Sequence, residues 1–166
     1  MNQPQPAFRV GLGYDIHPLV AGRRCVLGGV NIPSDVGPDG HSDADVVLHA
    51  VADAILGAAG LRDIGYYFPN TDTAIKGLDS AVIVKKAVVE AKANGGWVVG
   101  NVDVVIIGER PKVMAHVDAM KAKLAEIIGV TPSQVGIKAT TNEGMDSIGQ
   151  AKALAVQAIC LVFKGN

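Results

Sequence analysis

The chain has 166 residues, 49% of them apolar but only 4% aromatic, and a formal charge of −1. That length suits one domain whose core is built from Val, Ile, Leu and Ala. The charge balance leaves no basic field for nucleic acid or a membrane surface, so an anionic ligand must be held by metal, helix termini and backbone amides. No apolar run approaches the roughly 18 residues of a spanning helix. Cys25 and Cys160 form no CxxC pair and read as buried thiols of a reducing compartment, and the expected location is the cytoplasm.

Residues 1–7 read as a flexible polar tail and residues 8–166 as the folded domain. Residues 8–14 alternate, with Phe8, Val10, Leu12 and Tyr14 on one face and Arg9, Gly11 and Gly13 on the other, the pattern of a half-buried strand. Arg24 to Val30 predicts a short strand stopped by Gly28-Gly29, and 33–40 a loop. A helix is expected from Ser42, which caps it, to about Gly57, with Asp43 and Asp45 in its first turn. The stretch 60–79 reads as irregular, and loops of that length are usually functional or mobile. Then come a helix over 80–93, a strand over 98–107, a helix opened by Pro111 and ending near Gly129, a strand over 135–140, and an apolar helix over 149–163. The order predicts an α+β fold, a single-domain sheet with helices on one face. The very apolar first and last helices read equally as covered internal helices or as elements buried in an oligomer.

Three short stretches carry chemistry. Asp15 and His17 are two apart, so on a strand both side chains point the same way. His49, from the following helix, completes three N/O ligands, the donor set of a catalytic divalent-metal site with an open position. His41 beside the expected helix start reads as a phosphate-stabilising group, or else as a solvated residue next to a cap. The strand end at Lys138 to Glu143 offers hydroxyls and a carboxylate suited to a diphosphate with Mg²⁺, or else an ordinary polar turn. Lys112 reads as a phosphate partner or a surface lysine, and His116 as surface.

Taken together, Arg9–His17 (RVGLGYDIH), Gly28–Pro33 (GGVNIP), Gly40–His49 (GHSDADVVLH), Asp53–Ala59 (DAILGAA), Asp63–Gly65 (DIG), Phe68–Asp72 (FPNTD), Lys76-Gly77, Asn101–Ile107 (NVDVVII), Pro111-Lys112 and Lys138–Glu143 (KATTNE) resemble the 2-C-methyl-D-erythritol 2,4-cyclodiphosphate synthase family, in its order and over nearly the whole chain. The resemblance implies an enzyme of non-mevalonate isoprenoid synthesis, a phosphorus–oxygen lyase. It would convert 4-diphosphocytidyl-2-C-methyl-D-erythritol 2-phosphate to the cyclic diphosphate and CMP by metal-assisted intramolecular phosphoryl transfer. It implies Zn²⁺ or another divalent transition metal on Asp15, His17 and His49, and Mg²⁺ or Mn²⁺ with Glu143 as its protein ligand. His41 and Thr141 match catalytic positions. Asp15, His17, His41, Ser42, Asp63, Ile64, Gly65, Phe68, Pro69, Asn70, Thr71, Asp72, Thr141, Asn142 and Glu143 match substrate contacts, with Ser147 and Gln150 at positions around an axial cavity. Gly108, Pro111, Lys112, Val113, Met114 and Thr140 match the cytidine pocket. The resemblance also implies a homotrimer with active sites between subunits.

The chain departs from the family around an axial cavity. Gly149-Gln150-Ala151-Lys152-Ala153-Leu154 stands where Gly-Arg-Gly-Glu-Gly-Ile is common. Ser147 replaces a frequent aromatic, and Gln157 stands where a glutamate can occur. Weak or absent binding of isoprenoid diphosphates at Ser147 and Gln150 is therefore expected. The competing readings are a non-catalytic trimer holding a structural metal, and a metal-dependent phosphohydrolase with Asp63 or Asp43 as general base.

Overall fold

The computed structural model describes residues 7–165. Most of the tail expected over 1–7 thus lies outside the described residues. Strands β1 (Phe8–Ala21), β2 (Cys25–Leu27), β3 (Val30–Ile32) and β4 (Val36–Pro38) precede helix α1 (Val46–Ala59). After the short α2 (Ile64–Tyr67) and a 3-10 turn at Thr73–Ile75 come α3 (Ser80–Ala93), β5 (Trp97–Ile107), α4 (Val117–Ile128), β6 (Val135–Thr140), the short α5 (Asp146–Gly149) and β7 (Ala153–Lys164). The main sheet has the order β4-β1-β7-β5-β6, with only β5 and β6 parallel, and β2 and β3 form a separate hairpin. Helix α1 lies on β1 and β7, α3 packs on α1 and β5, and α4 on β6. The fold is α+β, as expected.

The largest departure is β7. The apolar helix expected over 149–163 is the central strand, paired with β1 on one side and β5 on the other. A continuous apolar run does not separate a buried strand from a buried helix by periodicity. Here the β-branched and aromatic residues Val156, Ile159, Val162 and Phe163 suit the pleated surface.

The faces of β1 are also reversed from the usual sense. Its apolar side chains point outward, Leu12 being 64% exposed and Val10 58%, while Gly11 and Gly13 are buried. Those glycines let α1 lie directly on the strand: a β-carbon on Gly13 would stand 1.9 Å from the Ala50 carbonyl oxygen, and one on Gly11 2.1 Å from that of Ala54. In register, Leu12 lies opposite Ile159, Val10 opposite Leu161 and Phe8 opposite Phe163, so the outer face of two adjacent strands is apolar.

Smaller departures are local. Gly28-Gly29, both at positive φ, turn β2 into β3 rather than ending a lone strand. Residues 36–38 in the expected loop pair with the end of β1. Helix α1 begins at Val46, not Ser42, because the Asp45 carboxylate accepts from Val47 and Leu48 N–H as the N-cap. Neither Asp43 nor Asp45 lies in its first turn. Pro111 follows a cis peptide bond, and α4 starts only at Val117, after a 3-10 turn at Met114–His116.

Candidate functional site

Positions 11, 13, 15 and 17 share the α1-facing side of β1, the two glycines buried and Asp15 and His17 half-buried. The glycine contact comes first along the strand, so Asp15 and His17 arrive where α1 presents His49. Asp15 Oδ2 lies 3.0 Å from His49 Nδ1 and 3.1 Å from His17 Nδ1. The three residues offer ligand atoms within 4.8 Å of one another. His17 Nδ1 is buried and accepts or donates no aligned hydrogen bond despite its closeness to Asp15. A β-carbon at Gly40 would meet His17 Nε2 at 2.7 Å, so the glycine lets the chain pass close over this ring. Two imidazoles and a carboxylate, one ring nitrogen without an aligned hydrogen bond, fit a divalent cation.

Electrostatics follow the same geometry. Burial pushes the Asp15 carboxyl up, but the close His17 and His49 rings and their charge outweigh it and hold it at about 2. Burial lowers His49, yet its hydrogen bond to Asp15 and the charges of Asp15, Asp45 and Asp43 raise it overall.

These residues open into a cavity of about 520 Å³, also lined by His41, Ser42, Ile64, Gly65 and the run Phe68 to Thr71. Asp72 borders a neighbouring hollow with His41 and Asn70, and Asp63 one with Tyr14 and Asp53. Helix α2 is set over the cavity by α1, since Asp53 Oδ1 accepts the Ile64 N–H at 2.8 Å while Asp63 at the N-cap accepts none. Arg23 donates to the carbonyls of Pro38 and Gly40, fixing the segment that carries His41.

A second cavity, of about 150 Å³, shares no residue with the first. Gly108, Pro111, Lys112, Val113, Met114, Thr140 and Thr141 line it, together with Ile106, Ala139 and Leu154. The two groups of expected residues thus line different cavities of the chain. Asn142, Glu143, Ser147 and Gln150 border neither cavity. Gln150 Oε1 accepts from Lys152 Nζ at 2.8 Å, so an ammonium stands beside the position whose charge the sequence lacks.

Two expectations change. The α1 N-terminus is not a free phosphate cradle: both oxygens of Asp45 are taken by backbone N–H groups, those of Val47, Leu48 and Gly28 on one and of Gly29 on the other. Asp43, read as a candidate base, has its oxygens on the Ser80 N–H and hydroxyl and on the Asp45 N–H, and does not line the cavity. Sequence reasoning missed Ser80, which touches His49 Nε2 at 2.9 Å. Its only signal was a small polar residue ahead of the apolar run Ala81–Val84 that opens the helix. Cys25 and Cys160 are buried and unpaired, as expected, and no helix among the described residues is long and apolar enough to cross a membrane.

The pattern of the YgbB family matches residues 8–163. The chain is 51% identical over 157 residues to the 2-C-methyl-D-erythritol 2,4-cyclodiphosphate synthase of Synechococcus sp. (strain JA-2-3B'a(2-13)), covering 95% of this chain and 99% of that one. Among solved structures, the CDP complex of IspF from Plasmodium falciparum superposes with a TM-score of 0.85 at 31% identity, covering 98% of this chain and 100% of that one. The bifunctional IspDF of Campylobacter jejuni gives a TM-score of 0.91 at 33% identity, over 96% of this chain but 43% of that longer one. With its metal-suited triad on the matched strand and helix, the chain belongs to the YgbB family, among relatives named as 2-C-methyl-D-erythritol 2,4-cyclodiphosphate synthases.

Proposed function

We propose that the chain converts 4-diphosphocytidyl-2-C-methyl-D-erythritol 2-phosphate to 2-C-methyl-D-erythritol 2,4-cyclodiphosphate and CMP, as a cytoplasmic phosphorus–oxygen lyase of isoprenoid precursor synthesis. The names of its relatives support the reaction. The observation that carries it is the Asp15-His17-His49 cluster opening into the cavity bordered by His41, Ser42 and 68–71.

In this reaction an oxygen of the 2-phosphate attacks the β-phosphorus, the β-phosphorus–oxygen bond to the α-phosphate breaks, and CMP departs with that oxygen. Such a transfer needs positioning and charge stabilisation more than covalent help. A divalent cation on Asp15, His17 and His49, Zn²⁺ or another transition metal, and Mg²⁺ or Mn²⁺ with Glu143 as its protein ligand, would supply Lewis-acid neutralisation of the diphosphate. His41, at the exposed mouth, and the Thr141 hydroxyl stabilise developing charge. Ser42, Asp63 to Gly65 and 68–72 hold the methylerythritol part. Gly108, Pro111 to Met114 and Thr140 receive the cytidine, with Lys112 against phosphate and Asn142 beside it.

Active sites between subunits would join the two cavities, which share no residue, one from each of two chains. The outward apolar face of β1 and β7 supplies the surface for a homotrimer. The hydrolase reading is weaker because the Asp43 oxygens are taken by the Asp45 and Ser80 N–H groups and the Ser80 hydroxyl, away from the metal cavity. Isoprenoid diphosphates bind weakly or not at all near Ser147, Gln150 and Gln157; micromolar binding lost in Gln150→Ala overturns this, with Lys152→Ala as the control for the neighbouring ammonium.

The test is ³¹P NMR of the zinc-loaded protein with Mg²⁺ and substrate. Cyclic diphosphate with CMP is expected, abolished by His49→Ala. Inorganic phosphate would mean hydrolysis, and unchanged substrate with metals bound a non-catalytic assembly.

A further inference from the structure

His49 presents its two ring nitrogens to different neighbours. Nδ1 stands 3.0 Å from Asp15 Oδ2, and Nε2 stands 2.9 Å from Ser80 Oγ and 3.1 Å from Ser42 Oγ. Which nitrogen carries the proton follows from the direction of the Ser80 hydroxyl. Ser80 is fully buried at the first position of α3, and its Oγ lies 2.5 Å from Asp43 Oδ1. Its backbone N–H donates to the other oxygen of the same carboxylate. A carboxylate only accepts, so the single hydroxyl hydrogen of Ser80 goes to Asp43. Toward His49, Ser80 Oγ is then an acceptor, and the ring hydrogen it accepts sits on Nε2. Ser42 Oγ fits the same direction: it accepts the Ala44 N–H and stands 3.3 Å from Ser80 Oγ, to which it can donate.

A neutral ring held this way turns the Nδ1 lone pair toward Asp15 Oδ2. Two acceptor atoms 3.0 Å apart repel unless a cation lies with them: a second ring proton on Nδ1, hydrogen-bonded to Asp15, in the metal-free chain, and the metal in its place in the loaded one. A partner that donates its hydrogen elsewhere therefore makes His49 a directed ligand rather than a histidine free to choose either tautomer. We propose that Asp43 and Ser80 are positioning residues that hold His49 as the Nε2–H tautomer and present its Nδ1 to the metal. This rests on the metal reading of Asp15, His17 and His49. It assigns a role to two residues from the loop before α1 and the start of α3 that line neither of the two cavities described, and it explains why a buried serine stands where alanine would fill the space. Orienting hydrogen bonds of this kind fix a ligand's tautomer and raise its basicity.

Zn²⁺ affinity, read by competition with a chelator, tests the proposal on the full chain and on Ser80→Ala, Asp43→Asn and Ser80→Thr. Ser80→Ala and Asp43→Asn are expected to bind Zn²⁺ roughly ten- to a hundredfold more weakly. Ser80→Thr keeps the hydroxyl and is expected to stay near the unsubstituted chain. If Ser80 only fills space, the added methyl makes Thr the worse substitution, and a Thr variant weaker than Ala overturns the proposal. Long-range ¹H–¹⁵N spectra of the zinc-loaded chain supply a readout independent of folding defects in the variants. The His49 proton is expected on Nε2; a proton on Nδ1 overturns the proposal. Normal Zn²⁺ binding that neither Ser80→Ala nor Asp43→Asn weakens sinks the positioning role alone. No Zn²⁺ uptake by the unsubstituted chain sinks the metal reading, and the positioning role with it.

Discussion

Gly13 and Ala50 are in backbone contact: a β-carbon on the glycine would stand 1.9 Å from the alanine carbonyl oxygen. Two residues further along β1 is Asp15, and one residue earlier on α1 is His49. The closeness of strand and helix is what sets the 3.0 Å separation of their side chains. Gly13→Ala must push helix from strand by more than an ångström. Overpacking of a buried site typically costs about 1–3 kcal/mol, and a backbone clash belongs at or above the top of that range. The expected result is a lowered Tm together with lost Zn²⁺ binding. Retention of Zn²⁺ binding at wild-type affinity would mean that the close approach does not set the triad.

Asp45 gives a pH-dependent contribution of known sign. Burial, and to a lesser degree Asp43, push its carboxyl up from an ordinary 3.8 to about 6, against the N–H groups of Gly29, Leu48 and Gly28 that pull it down. A carboxyl with a raised native pKa holds its proton better folded than unfolded. Its contribution is fully present below pH 3.8 and is lost as pH rises through about 6. The fall amounts to about 3 kcal/mol at one unit per 1.4 kcal/mol. Asp45→Asn is expected to flatten this part of the stability–pH curve, measured by urea unfolding of the metal-free chain from pH 4 to 7. It also turns an amide donor toward backbone N–H groups and lowers stability by about 1–3 kcal/mol. An unchanged slope would remove Asp45 as its source.

Asp53 caps a helix that is not its own. Its Oδ1 takes the Ile64 N–H across from α1, in place of the cap hydrogen bond that Asp63 does not make. Asp53→Ala leaves that N–H without its partner at a cost of about 1–2 kcal/mol. The segment it anchors runs into the proposed substrate contacts, so KM is expected to rise more than kcat falls. Amide exchange over 62–70 should quicken. A fall in kcat alone would place Asp53 in the chemistry instead.

The Asp15-His17-His49 cluster, a group that can hold a metal, was legible because its signal is local: a two-residue spacing on a strand and a histidine on the next helix. Strands β5 and β6 and helix α3 were legible from β-branched content and helical spacing over enough residues. What escaped depends on contacts distant in sequence. The run 153–163 is apolar but for Gln157, and only its place between β1 and β5 makes it a strand. The alternation of β1 identified two faces but not which one is inward, because the buried face is made of glycines that α1 selects. The start of α1 was misplaced because Ser42, Asp43 and Asp45 are all plausible caps. The hairpin at Gly28-Gly29, folded back onto Asp45, decides among them.

Both thiols should be inert in the folded chain. Burial pushes Cys25 up to about 11, with Asp45 adding to the shift, and pushes Cys160 up to about 12. The thiolate is the reacting species. Iodoacetamide at pH 8 is therefore expected to label neither cysteine in the native protein and both in denaturant, read by mass spectrometry. Labelling of Cys160 under native conditions would indicate that the central strand opens readily.

The outer face of the sheet sets the last expectation. Leu12 opposite Ile159, with Val10 and Phe8 beyond, exposes contiguous apolar surface that a lone chain rarely leaves in water. Asp15, His17 and His49 lie on the opposite side of β1, so a charge placed at Leu12 does not touch them. Light scattering of the unsubstituted protein should give three times the chain mass of 17.1 kDa. Leu12→Lys is expected to give the chain mass, to keep Zn²⁺ binding within a few-fold, and to lose turnover, since the cavity lined by Gly108, Lys112 and Thr140 then has no metal cavity of another chain to complete. A monomeric Leu12→Lys variant with full turnover would show instead that one chain carries the whole site.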